Sequence, residues 1–146
     1  MVRNILGAVA GYIVLVVVVM LGVGASWLVL GSSGAFDGEG PAPSTTWVAS
    51  NIVFGFVAAL AGGCVARKIG RSMTAVKILV ALLLLLGGYV AVTAESSYAK
   101  REPVDRPVAE MSFFEAGRHA KAPAWYNYLI PVVGAIGAAI GGRKAD

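Results

Sequence analysis

The chain has 146 residues, enough for one domain, and 58% of them are apolar while only 14% are charged. A soluble domain is about 45–50% apolar and about 25% charged, so this composition excludes an ordinary soluble protein and indicates a membrane protein. The net charge of +4 does not indicate a nucleic-acid partner, because the basic residues flank apolar runs and form no stripe with interleaved aromatic side chains.

Four apolar runs are long enough to cross a bilayer, whose hydrocarbon core requires about 20 residues of helix. They cover residues 5–30, 47–66, 76–94 and 125–142, with outer loops at 31–46 and 95–124 and an inner loop at 67–75. The first run is much longer than the apolar core of a signal peptide, which is about 7–15 residues, so we expect it to remain in the protein. The sequence therefore predicts an all-α, four-helix transmembrane domain over residues 1–146, built as two tandem antiparallel hairpins.

The distribution of charge predicts the orientation, since Lys and Arg collect in short cytoplasmic segments. With the N-terminus inside, the inner segments carry seven basic residues and one acid, whereas the outer segments carry five basic residues and seven acids. The three tryptophans, Trp27, Trp47 and Trp125, then fall at the outer ends of spans, where interfacial anchors are expected. We therefore expect a multi-pass protein of a bacterial-type inner (cytoplasmic) membrane with both termini in the cytoplasm.

The second and fourth spans resemble each other. Residues 53–63 align with residues 132–142 without a gap, and a basic pair follows each run. One interpretation is a duplicated hairpin with a pseudo-twofold axis along the membrane normal. The other is chance similarity between runs rich in Gly, Ala and Val.

Small residues spaced four apart let membrane helices approach closely, and all four spans contain them, although span three has only Gly87 and Ala91. We predict that they pack the bundle, although they could also form a face for another membrane protein or for a second copy. The predicted packing positions are Gly7, Gly11, Gly55, Ala59, Gly63, Gly134, Ala138 and Gly142.

The only sizeable polar region is residues 95–124. We predict a short interfacial helix over residues 108–120, with Pro107 in its first turn and Val108, Met111 and Phe114 on its apolar face. In this helix Glu115 can pair with Arg118 or His119. Phe113 and Phe114 are candidate anchors for a partner.

Residues that carry chemistry are scarce in this sequence. Glu115 and His119 have metal-ligand spacing, but two ligands do not make a site, so we predict no metal, no cofactor and no catalytic residue. The single cysteine, Cys64, cannot form a disulfide within the chain.

Three functions remain open. The first is a non-enzymatic subunit or scaffold of a membrane complex, whose partners are the lipid bilayer and another membrane protein or a second copy of the chain. The second is a homo-oligomeric channel or carrier for a small neutral solute, lined by spans two and four, with Asn51 and Asn127 near its outer mouth. The third and least favoured is an enzyme acting at the outer surface through Glu95, Glu110, Glu115 or His119, because no set of nucleophile, base and orienting group is visible.

Overall fold

The computed structural model describes residues 1–38, 40–101, 107 and 110–145, and within them the fold is entirely helical. The elements in chain order are α1 (Val2–Ala35), α2 (Thr45–Gly70), α3 (Met73–Ala99), α4 (Phe113–His119) and α5 (Ala124–Lys144). All except α4 are long and apolar enough to cross a membrane. The prediction of an all-α protein with four spans is confirmed.

All four spans are longer than predicted, and between α2 and α3 local capping, rather than hydropathy, decides where the helices end. Helix α2 continues through Arg67 and Lys68, which lie in its last turn and interact favourably with the helix dipole. It ends at Arg71, which is in the left-handed conformation and donates its N–H to the Arg67 carbonyl. The Ser72 hydroxyl then caps α3 by accepting from the Thr74 N–H at 3.1 Å. The predicted inner loop, 67–75, is therefore reduced to residues 71 and 72.

Helix α1 also extends beyond its predicted end. Gly31 has φ +65° and ψ −176°, a conformation that essentially only glycine adopts, and it breaks the helix where the predicted span ends. Helical structure then resumes up to Ala35, inside the predicted outer loop. Beyond Ala35, Phe36 and Pro43 form an isolated antiparallel bridge.

The four spans form a ring in which α1 and α5 each pack against both α2 and α3. The chain termini and the turn at residues 71–72 lie at one end, here called the terminus end. Helix α4 and the turn at residues 36–43 lie at the other, here called the α4 end. The core sits toward the terminus end and is formed by Ala8, Ala66, Val76, Leu79 and Ala138.

Glycines allow the backbones to touch at the terminus end. A Cβ atom on Gly11 would lie 2.5 Å from the Gly62 carbonyl oxygen, and one on Gly62 would lie 2.7 Å from the Gly11 carbonyl oxygen, so α1 and α2 are in backbone contact. Helices α2 and α5 are equally close, because a Cβ on Gly63 would overlap the Ala138 carbonyl oxygen.

The two hairpins, α1–α2 and α3–α5, are joined in the predicted order, but aligned positions meet different neighbours. Gly62 faces α1 of its own hairpin, whereas the aligned Gly141 faces α2 of the other hairpin. Gly63 faces α5, whereas the aligned Gly142 faces Val76 of α3. A twofold axis requires equivalent contacts, so the pseudo-twofold relation does not hold at these positions. A duplication of the sequence itself stays a prediction.

Candidate functional site

The four spans separate on the side of the core that leads to the α4 end, and this leaves a cleft of about 410 Å³ between α1, α3 and α5. Tyr12 and Leu83 line the cleft and also pack against the core, so the core forms its floor. Three other lining residues, Val16, Leu86 and Val90, are 36%, 45% and 59% exposed. The cleft therefore opens sideways between α1 and α3, toward the space that lipid occupies around a membrane bundle.

The lining of the cleft is apolar apart from Tyr12, Tyr126 and Asn127. Pro131, one helical turn after Asn127, also lines the cleft and packs against α3, where a Cβ on Gly87 would lie 2.5 Å from the proline Cγ. Because proline has no N–H, the Asn127 carbonyl lacks its i+4 donor in α5. Asn127 therefore contributes a polar side-chain amide to the cleft wall and has a backbone carbonyl without its usual helical donor.

The two asparagines predicted at a pore mouth are not brought together. Asn127 lines the cleft, but the Asn51 side chain donates to the Trp47 carbonyl at 2.9 Å and lies outside the cleft. The Asn51 amide thus donates to the preceding turn of its own helix, and the pore-mouth role predicted for Asn51 stays a prediction.

The predicted packing residues divide into two groups. A Cβ added to Gly7, Gly11, Gly63 or Gly142 would collide with a neighbouring helix, and Ala59 and Ala138 are fully buried. Gly55 and Gly134 do not pack closely. A Cβ on Gly55 would meet nothing within 4 Å, one on Gly134 would only reach Leu83 at 3.8 Å, and both residues line the cleft. Within the single chain these two glycines leave open space, and the packing role predicted for them stays a prediction.

Only one of the predicted tryptophan anchors has a largely free ring. Trp125 is 56% exposed at the start of α5. Trp27 instead packs edge-on against Trp47, with ring centroids 6.0 Å apart, and against Phe113 of α4 at 5.8 Å. These two tryptophans attach α4 to the ends of α1 and α2, an arrangement that requires a tertiary contact and was not apparent from the sequence.

Helix α4 is shorter than predicted, and Met111 just before it and Ala116 within it are buried, whereas Phe114 is not. Ser112 caps it in a capping box: the Glu115 N–H donates to the Ser112 hydroxyl, and the Glu115 carboxylate accepts from the Ser112 N–H at 2.9 Å. Residues 108 and 109 lie outside the described part of the chain, and Pro107 is not helical. Met111 precedes the helix and is buried together with Ala116, whereas Phe114 is 79% exposed. Met111 therefore does not share a helical face with Phe114, and the contact of Phe114 with the membrane interface stays a prediction.

The titratable residues considered for an outer-surface enzyme have different surroundings in the structure. Glu115 belongs to the capping box, while Glu95 and Glu110 are exposed. The His119 ring lies 5.8 Å from the Phe36 ring, and its Nε2 is buried without a hydrogen-bond partner among the described residues. The described residues contain no group of three or more His, Cys, Asp or Glu side chains placed to hold a metal.

The fold and the cleft together define a class: a four-span helical membrane protein with a laterally open, mostly apolar cleft in its bundle. The sequence matches no protein-family model and no curated protein, and the fold matches no solved structure. The function must therefore be argued from the cleft itself.

Proposed function

We propose that this protein is a non-enzymatic membrane protein that binds, and as a carrier would move, a small, mostly apolar neutral molecule in the cleft between α1, α3 and α5. The observation that supports this most strongly is the combination of a lateral opening with a few polar side chains, those of Tyr12, Tyr126 and Asn127, on an otherwise apolar wall. A few well-placed polar groups in an apolar pocket are typical of small-molecule sites. The Asn127 amide and the backbone acceptor left free by Pro131 would hold the ligand's hydroxyl or carbonyl group.

The proposed path differs from the one that the sequence led us to expect. Glycine-rich α2 and α5 were expected to line it, but most of their glycines are used in contacts between helices, and only Gly55 and Gly134 line the cleft. The site is therefore enclosed by the four spans of one chain and does not need a second copy. A carrier would also have to open the core beneath Tyr12, which closes the cleft at the terminus end.

A photoaffinity experiment in liposomes tests the proposal. The probe is a phenyl-diazirine that carries one hydroxyl group. We expect saturable labelling of peptides that contain residues 83–90 and 126–134. Gly55→Leu adds four carbon atoms in open space on the cleft wall and should abolish that labelling. Leucine also has a higher helix propensity than glycine, so the variant should still fold.

Gly88→Leu is the matched control. A Cβ on Gly88 also meets nothing within 4 Å, but this residue does not line the cleft. Labelling of the cleft peptides should therefore be unchanged in this variant. Equal labelling of both variants, or labelling that never saturates, would show that the probe only partitions into the surrounding lipid and would refute the proposal.

A second candidate function is a small subunit or scaffold of a membrane complex. Two aromatic side chains at the α4 end support it: Phe114 is 79% exposed and Trp125 is 56% exposed, and aromatic side chains are enriched at protein interfaces. A partner that co-purifies in fixed stoichiometry, and is lost on Phe114→Ala, would favour this function over ligand binding. A solitary monomer would count against it.

We further propose that both termini lie in the cytoplasm of a bacterial-type cell, which the clustering of basic residues at the terminus end supports. Cysteine labelling tests this orientation. In a Cys64→Ala background, a membrane-impermeant maleimide applied to intact cells should label Lys121→Cys at the α4 end and should not label Arg71→Cys at the terminus end. The reverse pattern would overturn the orientation.

A further inference from the structure

A second apolar cavity, of about 270 Å³, lies beneath α4. Its walls are formed by α1, by the turn at residues 36–43 and by α4 itself; they include Trp27, Phe36, Phe113, Ala116 and Gly117. We call it the α4 chamber. It has no role in the function proposed above.

The chamber and the cleft meet at one residue, because Val19 of α1 lines both. The α1 residues that line them follow one another at intervals of three or four along one face of the helix: Tyr12, Val16, Val19, Val23 and Trp27. Tyr12, Val16 and Val19 line the cleft, and Val19, Val23 and Trp27 line the chamber. At 1.5 Å per residue, this stripe is about 22 Å long. The two cavities therefore lie end to end along α1.

Helix α4 bridges this line of cavities at its outer end. On one side Phe113 packs against Trp27 of α1 with ring centroids 5.8 Å apart. On the other side Arg101, just after α3, donates from Nη1 to the Arg118 and Ala120 carbonyls, both at 3.0 Å. The lateral opening between α1 and α3 therefore lies beneath α4, which contacts α1 through Phe113 and the end of α3 through Arg101.

We propose that the cleft and the α4 chamber form a single groove that binds the hydrocarbon chain of a single-chain amphiphile with an anionic headgroup, a fatty acid being the simplest. This goes beyond the proposed function and rests on it only in using the same cleft, which the methyl end of the chain would occupy in place of a small neutral molecule. The headgroup would lie at the last turn of α4.

The dimensions of the groove favour this occupant. One leaflet spans about half of a hydrocarbon core of about 30 Å, so a groove of about 22 Å accepts a whole acyl chain and its headgroup. The open side between α1 and α3 lets such a chain enter from the bilayer. A compact solute would fill the cleft alone and would leave the α4 chamber unused.

Basic residues that adjoin the lining of the chamber in sequence favour an acid. Arg118 directly follows Gly117 and Lys121 directly follows Ala120, two residues that line the chamber, and both basic side chains are exposed. The carboxylate of Glu115 is held by Ser112 in the capping box, and Asp37, next to the lining residue Phe36, is exposed. Because lipid solvates an acyl chain as well as the groove does, these cations would supply the selectivity.

Two palmitic acid probes test the proposal in liposomes, one with a diazirine near the methyl end and one with a diazirine near the carboxylate. The first should label residues 83–90 and 126–134, and the second should label the peptide around Phe113–His119. Both probes should lose saturable labelling in the Gly55→Leu variant, which fills the cleft. They should also lose it in the Gly117→Leu variant, which fills the chamber, since a Cβ on Gly117 meets nothing within 4 Å. Gly88→Leu is again the control. The double change Arg118→Gln, Lys121→Gln should weaken labelling by the acid and leave that by the matching fatty alcohol unchanged.

The results distinguish the fatty acid site from the ligand-binding function proposed above. If the hydroxyl-bearing phenyl-diazirine labels the cleft saturably but the fatty acid does not, the fatty acid site is refuted and the proposed function stands. The same conclusion follows if both fatty acid probes label the same peptide, or if Gly117→Leu leaves their labelling intact, because the chain would then not run from one cavity into the other. If neither kind of probe labels saturably, both proposals fail.

Discussion

The contact between α2 and α5 provides the sharpest test of the fold. A Cβ on Gly141 would lie 2.8 Å from the Leu60 carbonyl carbon and 2.9 Å from its Cα, and it would overlap the carbonyl oxygen. Carbon atoms normally pack about 3.5–4.0 Å apart, so Gly141→Ala should force the two helices apart by roughly 0.7–1.2 Å. Overpacking of this kind costs about 1–3 kcal/mol, which is roughly a 5- to 150-fold loss in the folding equilibrium.

Comparison with Gly24→Ala isolates this cost. Gly24 is also in a span, but a Cβ there meets nothing within 4 Å, so both changes share the effect of alanine on helix propensity and only Gly141→Ala creates a collision. The assay is reversible unfolding of each variant in mixed micelles with increasing SDS, followed by circular dichroism. If Gly141→Ala is as stable as Gly24→Ala, the backbone contact between α2 and α5 is not present.

A double variant extends the test. Gly63 lies on the same interface, where a Cβ would overlap the Ala138 carbonyl oxygen. A single displacement of α5 would make room for both added methyl groups, so Gly63→Ala and Gly141→Ala together should cost less than the sum of the two single changes. Strict additivity would mean that the two glycines do not share one interface.

Three further predictions concern the core, the break in α1 and the cap of α4. Leu79→Ala, at a fully buried position, should lower the free energy of unfolding by about 2–5 kcal/mol. Leu85→Ala, at a residue 73% exposed, should change it by less than about 0.5 kcal/mol. Equal effects of the two variants in SDS titrations would contradict the position of the core. Gly31→Ala should cost about 1–3 kcal/mol in the same assay because of the backbone conformation there, and an effect as small as that of Gly24→Ala would show that the break is absent. Ser112→Ala should destabilise α4 by about 0.5–2 kcal/mol and leave the spans unchanged; amide hydrogen exchange should therefore quicken in residues 113–119 alone, and unchanged exchange there would argue against the capping box.

Hydropathy and length were enough to locate the four spans, because a helix that faces lipid must be apolar over about 20 residues whatever its neighbours are. They could not locate the ends of the spans, which depend on local caps such as Ser72 and on the backbone conformation of Gly31. The same limit applies to α4, whose start is set by the capping box at Ser112 rather than by the proline before it.

The candidate site was only partly predictable. Asn127 stood out as a polar residue in an apolar run, and it lies on the cleft wall. Glycines do not reveal from sequence whether a neighbouring backbone fills the space beside them. Gly63 and Gly55 look alike in the sequence, yet the first touches α5 and the second faces open space. The α4 chamber could not be predicted at all, because it depends on Trp27, Trp47 and Phe113 meeting across distant parts of the chain.

Native mass spectrometry on protein extracted gently from its own membrane tests the central claim, a ligand held in the cleft, most directly. The wild-type chain and Gly88→Leu should each carry one additional mass consistent with a small amphiphile, and Gly55→Leu should be free of it. An identical adduct on all three proteins, or an adduct on none of them, would contradict a ligand site between α1, α3 and α5.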